Sequence, residues 1–267
     1  MSMTKEMTSG KPYKLILSFA IPLILGNVFQ QLYNMVDTVI VGKFVGVNAL
    51  AGVGSTGAIN FLVIGFALGI CSGFSIMIAQ RFGAGDYSGM RKFIANSIYL
   101  CIAVAVILTA VTMLLTKPIL TVMNTPKEIY DYAYNYIIII FAGISATMFY
   151  NILSGILRAV GDSRTPLIFL GVSSVLNVGL DLLCIIVFKM GVAGAGIATV
   201  ISQAISAFLC LIYIRKNYDI LRFEHDELKF EAHRAKRLVS VGIPMALQFS
   251  ITAIGSIILQ SAVNSLG

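Results

Sequence analysis

Two carboxylates stand inside long apolar stretches of this 267-residue chain, where charged side chains are rare. They are Asp37 and Asp181, whereas the other acids lie in loops or tails. An aspartate at the centre of a bilayer costs about 2.5–3.5 kcal/mol, so its presence there is a functional hypothesis by default. Two carboxyl groups close together in a medium of low dielectric constant do not readily both ionise. Such a pair can hold a proton or exchange it for Na⁺, so the two aspartates predict a cation-coupling site.

Asp37 ends a stripe of polar residues that recur at helical spacing. The stripe begins at Asn27 and continues through Gln30, Gln31 and Asn34. Residues at this spacing share one face of a helix. Because polar groups facing lipid are unfavourable, we expect the stripe to face other helices or to line a cavity.

Three further side chains are predicted to join the two aspartates. Tyr33 lies one turn before Asp37, and Asn177 lies one turn before Asp181. Thr199 stands on the next apolar stretch at the same distance from its predicted outer end, about 10 Å at a rise of ~1.5 Å per residue. Groups from three helices at one depth predict a single ion site, although two buried structural aspartates would fit the same positions.

The remaining candidates flank this site. Asn151 and Ser154, at i and i+3 of the fourth predicted span, are candidates to line the same cavity. Pro22 removes one backbone hydrogen bond from the first helix. It predicts either a static kink or a hinge that bends when the carboxylates are protonated.

The elements that must position these residues are membrane-spanning helices. Apolar residues make up 58% of the chain and charged residues 12%, against about 25% charged residues in soluble domains. Lipid offers no partners to the backbone, so apolar stretches of about 20 residues must be helical. The predicted spans are residues 15–42, 49–79, 93–116, 134–157, 167–188, 192–214 and 238–267.

The basic residues give these spans an orientation. Of the 19 Lys and Arg, 15 fall in the amino-terminal segment and the second, fourth and sixth loops, and 4 fall on the other side. The positive-inside rule therefore predicts a multi-pass protein of the cell (inner) membrane with a cytoplasmic amino terminus. We interpret the net charge of +7 as this topology signal and not as nucleic-acid binding. The bilayer is the expected partner.

The chain contains the start of an internal repeat. Lys14, Ser18, Ile21 and Pro22 recur 222 positions later as Lys236, Ser240, Ile243 and Pro244, and such repeats are typical of transporters with a substrate site between two halves. We therefore predict an all-α membrane protein with a six-transmembrane-helix lobe over residues 1–214, a cytoplasmic inter-lobe loop over 215–236, and the first helix of a second, truncated lobe over 237–267. We expect the rest of the C-terminal lobe to be missing from this chain.

Three segments of the chain resemble one known family. Residues 22–37 (PLILGNVFQQLYNMVD), residues 158–166 (RAVGDSRTP) and Asn177-x3-Asp181 are similar to the multidrug and toxic compound extrusion (MATE) family. The resemblance implies an antiporter, not an enzyme, that exports cationic or amphipathic small molecules in exchange for H⁺ or Na⁺. It implies no cofactor beyond the coupling ion.

The resemblance also assigns roles to individual residues. It places Tyr33, Asp37, Asn177, Asp181 and Thr199 in the ion-coupling site of the first lobe. Asp37, Asn177, Asp181 and Thr199 would be metal ligands only if the coupling ion is Na⁺.

Other interpretations remain open. A lipid or lipid-linked oligosaccharide flippase of the same superfamily would be expected to have a more cationic cavity than these spans offer. Two membrane aspartates also occur in intramembrane aspartyl proteases, but the residues next to Asp37 and Asp181 do not match that pattern. Gly65, Gly69 and Gly73 form a small-residue stripe, which predicts close helix packing within the lobe or, alternatively, dimerisation.

Overall fold

The computed structural model describes residues 11–265, and these residues form helices and loops without a strand. The prediction of an all-α membrane protein is confirmed. The helices are α1 (Pro12–Phe44), α2 (Val47–Ser55), α3 (Gly57–Gly83), α4 (Tyr87–Val122), α5 (Lys127–Ala142), α6 (Ile144–Ala159), α7 (Arg164–Leu182), α8 (Val192–Asn217) and α9 (Ala232–Ser265). A π-helical turn, Leu183–Val187, continues α7.

Six of these helices are individually long and apolar enough to span a membrane, and the number is seven when the bent pair α5–α6 is counted as one span. Seven spans is also the number that the apolar stretches predict. One end of the lobe carries the loops at Ala84–Asp86 and Val160–Ser163 and the segment between α8 and α9, and we call this end the basic face. The opposite face carries the loops after α1, α4 and α7.

Two predicted spans differ in the structure because local groups interrupt them. The stretch 49–79 breaks at Thr56, where the Ser55 and Thr56 hydroxyl groups donate to the carbonyls of Gly52 and Val53 at 2.8 and 2.7 Å. Such side-chain bonds compete with the helix ladder. The stretch 134–157 bends by 47° at Gly143.

Two Gly-Asp turns join helices at the basic face. Gly85 and Gly161 adopt left-handed backbone conformations with φ of 70° and 92°, which glycine tolerates at helix ends. The aspartate that follows each glycine caps the next helix. Asp86 accepts from the Gly89 amide at 2.8 Å, and Asp162 accepts from the Thr165 amide at 3.0 Å. These caps fix the entry of α4 and α7.

The main core lies among α3, α4, α5, α6 and α8, where Phe74, Phe93, Phe141 and Leu157 are fully buried. A second apolar cluster lies toward the opposite face, between α1, α2, the π turn and α8. Its buried members are Ile40, Val41, Ala49, Ile185, Val192 and Ala195. This second cluster separates the predicted ion site from the opposite face.

The segment between α8 and α9 covers residues 218–231 and is shorter than the predicted loop over 215–236. Helix α9 begins at Ala232, inside the predicted loop 215–236, because its charged first turns extend beyond the apolar span. Within the segment, Glu227 is 3% exposed and forms a salt bridge with Arg91 of α4. Asn96 accepts a hydrogen bond from the Glu231 amide at 2.9 Å. The connector is therefore fastened to α4.

Helix α9 packs against α3 along the predicted glycine stripe. A Cβ atom at Gly73 would lie 2.6 Å from the Cα atom of Gly242, and one at Gly69 would overlap the backbone of Ala246. The prediction of packing within the lobe is therefore wrong, because the stripe contacts the helix that follows the inter-lobe segment. Because Gly69 and Gly73 of α3 and Gly242 of α9 have no side chains, the two helix backbones can approach closely.

Candidate ion-binding site

Three helices bring the predicted ion-site residues to one depth. Asp37 lies seven residues before the end of α1, Asp181 lies six residues before the end of the π turn, and Thr199 lies seven residues after the start of α8. At ~1.5 Å per residue these positions are about 9–11 Å from the opposite face. The π turn begins two residues after Asp181, and such turns frequently occur at functional sites.

The Thr199 hydroxyl lies between the polar groups of the other two helices. Its Oγ1 atom is 3.5 Å from Asp37 Oδ2, and the Asn177 Nδ2 atom is 3.5 Å from the same Oγ1. The hydroxyl is also 3.0 Å from the Ala195 carbonyl of its own helix. Because a hydroxyl has one proton, it donates either to Ala195 or to Asp37. Thr199 can therefore adjust to the charge of the carboxylate.

The two aspartates lie within interaction distance of each other. The Asp37 and Asp181 carboxyl groups are close enough to share a hydrogen bond when one of them is protonated. Asp181 and Asn177 are fully buried, and Tyr33 is 6% exposed. The structure therefore places all five predicted ion-site residues in one cluster.

Most oxygen atoms of this cluster have no hydrogen-bond partner among residues 11–265. The unpartnered buried atoms are Tyr33 Oη, Asp37 Oδ1, Asn177 Oδ1 and both carboxylate oxygens of Asp181. A buried polar group without a partner costs free energy, and a charged group costs more. A proton shared by the carboxyl groups, or a hard cation held by carboxylate, amide and hydroxyl oxygens, would supply what is missing. The cluster is therefore chemically suited to binding a small cation.

The acid content of the cluster limits which cation fits. Across residues 11–265, no group of three or more His, Cys, Asp or Glu side chains is arranged so that it could hold a metal ion. Two carboxylates with neutral oxygens are a weak match for a divalent transition metal, which takes nitrogen or sulfur ligands. A proton or Na⁺ suits the donor set.

The predicted cavity-lining residues lie at different places. Asn27 and Asn34 are exposed on α1, and Gln30 is half-buried. Asn151 lies on α6, where its amide donates to the Thr147 carbonyl at 2.8 Å, and Ser154 is buried in the same helix. No hydrogen bond found within residues 11–265 joins either of these two to the carboxyl pair. Their cavity-lining role stays a prediction.

Pro22 is buried within α1 and lies 15 residues before Asp37. This separation corresponds to about 22 Å along the helix. A hinge at Pro22 would therefore have to act through the length of α1. Its role stays a prediction.

Two residues that the sequence does not single out lie at or beside the site. Tyr136 of α5 interacts electrostatically with both Asp37 and Asp181. Gln203 lies one turn beyond Thr199 on α8, is 8% exposed, and has an unpartnered Oε1 atom. Tyr136 is one of four tyrosines, at positions 130, 132, 134 and 136, and such a cluster is typical of a membrane interface. The sequence therefore gives no sign that Tyr136 lies beside the ion site. Gln203 could be found from its i+4 spacing to Thr199.

One lobe of six spans, a further helix packed on it and a buried carboxyl pair define a polytopic membrane transporter. Comparison with known proteins identifies the family, because the MatE family model matches residues 22–183. The chain is 32% identical to the probable multidrug resistance protein YpnP of Bacillus subtilis (strain 168) over 98% of its length, and 30% identical to YoeA of the same organism over 99%. The chain therefore belongs to the MATE family.

A solved structure gives the same result for the fold. The chain superposes on an outward-facing multidrug resistance MATE family transporter of the MOP superfamily with a TM-score of 0.83 and 28% identity. The match covers 90% of this chain and 53% of that one. The chain spans 58% of the length of each Bacillus relative. Members of the family are membrane transporters and not enzymes, so the protease interpretation is excluded.

Proposed function

We propose that this chain is the ion-coupling lobe of a multidrug efflux antiporter that exports cationic or amphipathic compounds in exchange for H⁺ or Na⁺. The observation that carries the proposal is the cluster of unpartnered buried oxygens around Asp37 and Asp181. Both similar Bacillus proteins are named as probable multidrug resistance proteins, which supports the substrate class.

The coupling follows from the state of the carboxyl pair. Without a bound cation, the buried carboxylates repel each other and favour a conformation that admits water or an ion. A proton or Na⁺ relieves this repulsion and favours a closed lobe. The cation then shifts the equilibrium by its differential affinity for the two conformations. With Na⁺ as the ion, Asp37, Asn177, Asp181 and Thr199 would be its ligands.

The exposed face of α1 offers a surface for the exported compound. A shallow groove of about 310 Å³ runs along it, with Asn27 and Gln31 among Ile24, Val28, Leu32 and Met35. Amide groups among apolar side chains suit an amphipathic molecule. A complete second lobe would close this groove into a cavity, and rocking of the two lobes would give alternating access.

The test is transport by a protein that carries this lobe together with a complete second lobe. Reconstituted in vesicles, it should move an amphipathic cation such as ethidium when a pH or Na⁺ gradient is imposed. Asp37→Asn and Asp181→Asn should each abolish the dependence on the gradient, because each removes an ionisable group of the pair. Asp131→Asn is the matched control, since Asp131 is exposed on α5.

The two ions are distinguished by imposing one gradient at a time. Transport driven by Na⁺ at equal pH on both sides identifies Na⁺, and transport driven by a pH gradient without Na⁺ identifies H⁺. Gradient-driven transport that persists in both aspartate variants would disprove the assignment of the site.

A further inference from the structure

A second cavity lies at the basic face, at the other end of the lobe from the carboxyl pair. It has a volume of about 500 Å³ and is enclosed by α4, α6, α8 and the start of the segment after α8. Ile98, Leu153 and Leu211 contribute to its apolar wall, and Leu221 and Phe223 close it from the segment side. A cavity of this size and lining is sufficient for a hydrocarbon group.

The cavity reaches from the basic face into the depth of the membrane. Leu153 and Leu211 each lie six residues from the end of their helices at Ala159 and Asn217. Ile98 lies eleven residues after the start of α4. At ~1.5 Å per residue, the wall extends about 9–16 Å inward. This depth corresponds to the upper acyl chains of one leaflet.

Two arginines stand at the mouth of this cavity. Arg215 is exposed and has no salt bridge to any residue within 11–265. Arg222 is paired with Asp219 at 2.9 Å, and both side chains are largely exposed. An exposed pair of this kind contributes little free energy, so Arg222 remains available to another anion. Both guanidinium groups can make paired hydrogen bonds to a phosphate.

The cavity wall is fixed where it meets the mouth. Tyr218 is 2% exposed, and its hydroxyl donates to Asp162 Oδ2 at 2.8 Å. The segment that follows is held to α4 by the salt bridge between Arg91 and Glu227. These two contacts hold the segment after α8 against the helices, so the wall of the cavity is held by side-chain interactions.

We propose that this cavity binds an anionic glycerophospholipid from the leaflet at the basic face, with an acyl chain in the apolar interior and the phosphate between Arg215 and Arg222. The charge at the mouth disfavours the cations proposed as export substrates. A soluble anion would leave the 9–16 Å apolar depth unfilled. Basic pockets between membrane helices bind anionic lipid headgroups in this way.

The test uses purified protein in nanodiscs and in detergent. Bound lipid is counted by native mass spectrometry while phosphatidylglycerol, phosphatidylcholine or inorganic phosphate is titrated. We expect phosphatidylglycerol to bind and be retained, and phosphatidylcholine and phosphate to bind at least tenfold more weakly. The double variant Arg215→Gln/Arg222→Gln should lose about 10–30-fold in affinity for phosphatidylglycerol.

Two further variants separate the site from general charge and from folding. Lys216→Gln is the matched control, because Lys216 is exposed beside Arg215 and does not line the cavity. Leu211→Trp should exclude the acyl chain while leaving both arginines in place. Size-exclusion profiles that match the unaltered protein show that each variant folds.

Any of the following results would overturn the proposal: equal retention of phosphatidylglycerol and phosphatidylcholine, an equal loss of affinity in the Lys216→Gln control, or full lipid retention by Leu211→Trp. Binding of phosphate as tight as that of the lipid would reduce the site to an anion site and would also overturn it. None of these measurements depends on transport, so this proposal can fail while the antiport proposal stands.

Discussion

At the scale of single residues, the carboxyl pair and its neighbours hold five of the eight buried side-chain atoms that have no hydrogen-bond partner among residues 11–265. Hydroxyl groups elsewhere, such as those of Ser97 and Thr116, donate to carbonyls of their own helices at 2.7 and 2.6 Å. Around Asp37 and Asp181, by contrast, Asp37 Oδ1 and both carboxylate oxygens of Asp181 have no hydrogen-bond partner in the part of the chain that the structure describes. Buried acceptors without partners destabilise a fold, so their concentration at one place indicates a ligand.

Thr199 offers a conservative test of that cluster. Thr199→Val removes the hydroxyl without changing the shape of the side chain, and it takes from Asp37 and Asn177 a partner that lies 3.5 Å from each. Contacts of this length are weak, so we expect a loss of about 1 kcal/mol, or roughly fivefold, in apparent affinity for the coupling cation. The measurement is the concentration of Na⁺ or H⁺ that gives half-maximal transport.

Thr199→Ser is the control, because it keeps the hydroxyl. It should restore an affinity close to that of the unaltered protein. If Thr199→Val and Thr199→Ser lower the apparent affinity for the cation equally, the methyl group of Thr199 is responsible and its hydroxyl does not contact the ion.

The sequence predicts the ion-site residues because depth is a one-dimensional property. Asp37, Asp181 and Thr199 can be placed at one level by counting residues from the ends of their helices. Counting residues does not show which helices are neighbours. For this reason it does not predict that Tyr136 of α5 lies beside the site. Gln203 is not predicted, although its i+4 spacing to Thr199 puts both side chains on one face of α8.

At the scale of elements, the contact between α3 and α9 depends on glycine. Gly73→Ala places a Cβ atom 2.6 Å from the Cα atom of Gly242, so one backbone must move. Overpacking of this kind costs about 1–3 kcal/mol, and we expect a lower midpoint of thermal unfolding for the purified protein. Scanning fluorimetry of the protein in detergent measures it.

Gly171→Ala is the matched control for this substitution. Gly171 also lies within a helix, and a Cβ atom there meets nothing within 4 Å. Alanine should therefore be neutral or slightly stabilising at this position. An unfolding midpoint that falls equally in both variants would mean that the contact with α9 is not responsible.

The segment after α8 gives a prediction about pH. The Arg91 guanidinium, which donates to Glu227 Oε1 at 2.8 Å, lowers the pKa of Glu227 from its usual value near 4.5 to about 2. A lowered pKa means that the contribution of Glu227 is complete above pH 4.5 and is lost as the pH falls toward 2. We therefore expect the protection of residues 219–231 against hydrogen exchange, after correction for the intrinsic exchange rate, to be the same at pH 7 and pH 5.

Glu227→Gln is the comparison for this measurement, since it removes the charge at every pH. It should raise the exchange rate of the same segment at neutral pH. Faster exchange in the unaltered protein at pH 5 than at pH 7, corrected for intrinsic chemistry, would contradict the assignment. It would also make the segment a second pH-sensitive element besides the carboxyl pair.

Helix existence is predicted better than helix continuity. Apolar length is summed over about 20 residues, so the spans that include α1, α4, α7 and α8 follow from composition alone. The breaks at Thr56 and Gly143 each depend on only one or two residues. Thr56 bonds a carbonyl of the preceding turn, and a Cβ atom at Gly143 would overlap Val200 of α8. Such details are set by local contacts that hydropathy does not record.

At the scale of the whole molecule, the two proposed sites occupy opposite ends of one lobe and have opposite charge. The carboxyl pair lies toward the face with few basic residues, and the cavity with Arg215 and Arg222 opens at the basic face. This separation allows a cation to bind at one end without competing for the arginines at the other. The orientation of the lobe in the membrane determines which of the two sites is nearer the cytoplasm.

The distribution of Lys and Arg predicts that orientation. Of the 19 basic residues, 15 belong to the amino-terminal segment or to the loops and adjoining helix ends of the basic face, and the side of a membrane protein that is rich in Lys and Arg remains in the cytoplasm. The measurement is labelling by a membrane-impermeant thiol reagent. The four native cysteines, Cys71, Cys101, Cys184 and Cys210, are buried and are first replaced by alanine. Asn48→Cys, exposed at the opposite face, should react in intact cells, and Lys216→Cys should react only after permeabilisation. The reverse pattern would place the basic face outside and would direct the proposed lipid site to the other leaflet.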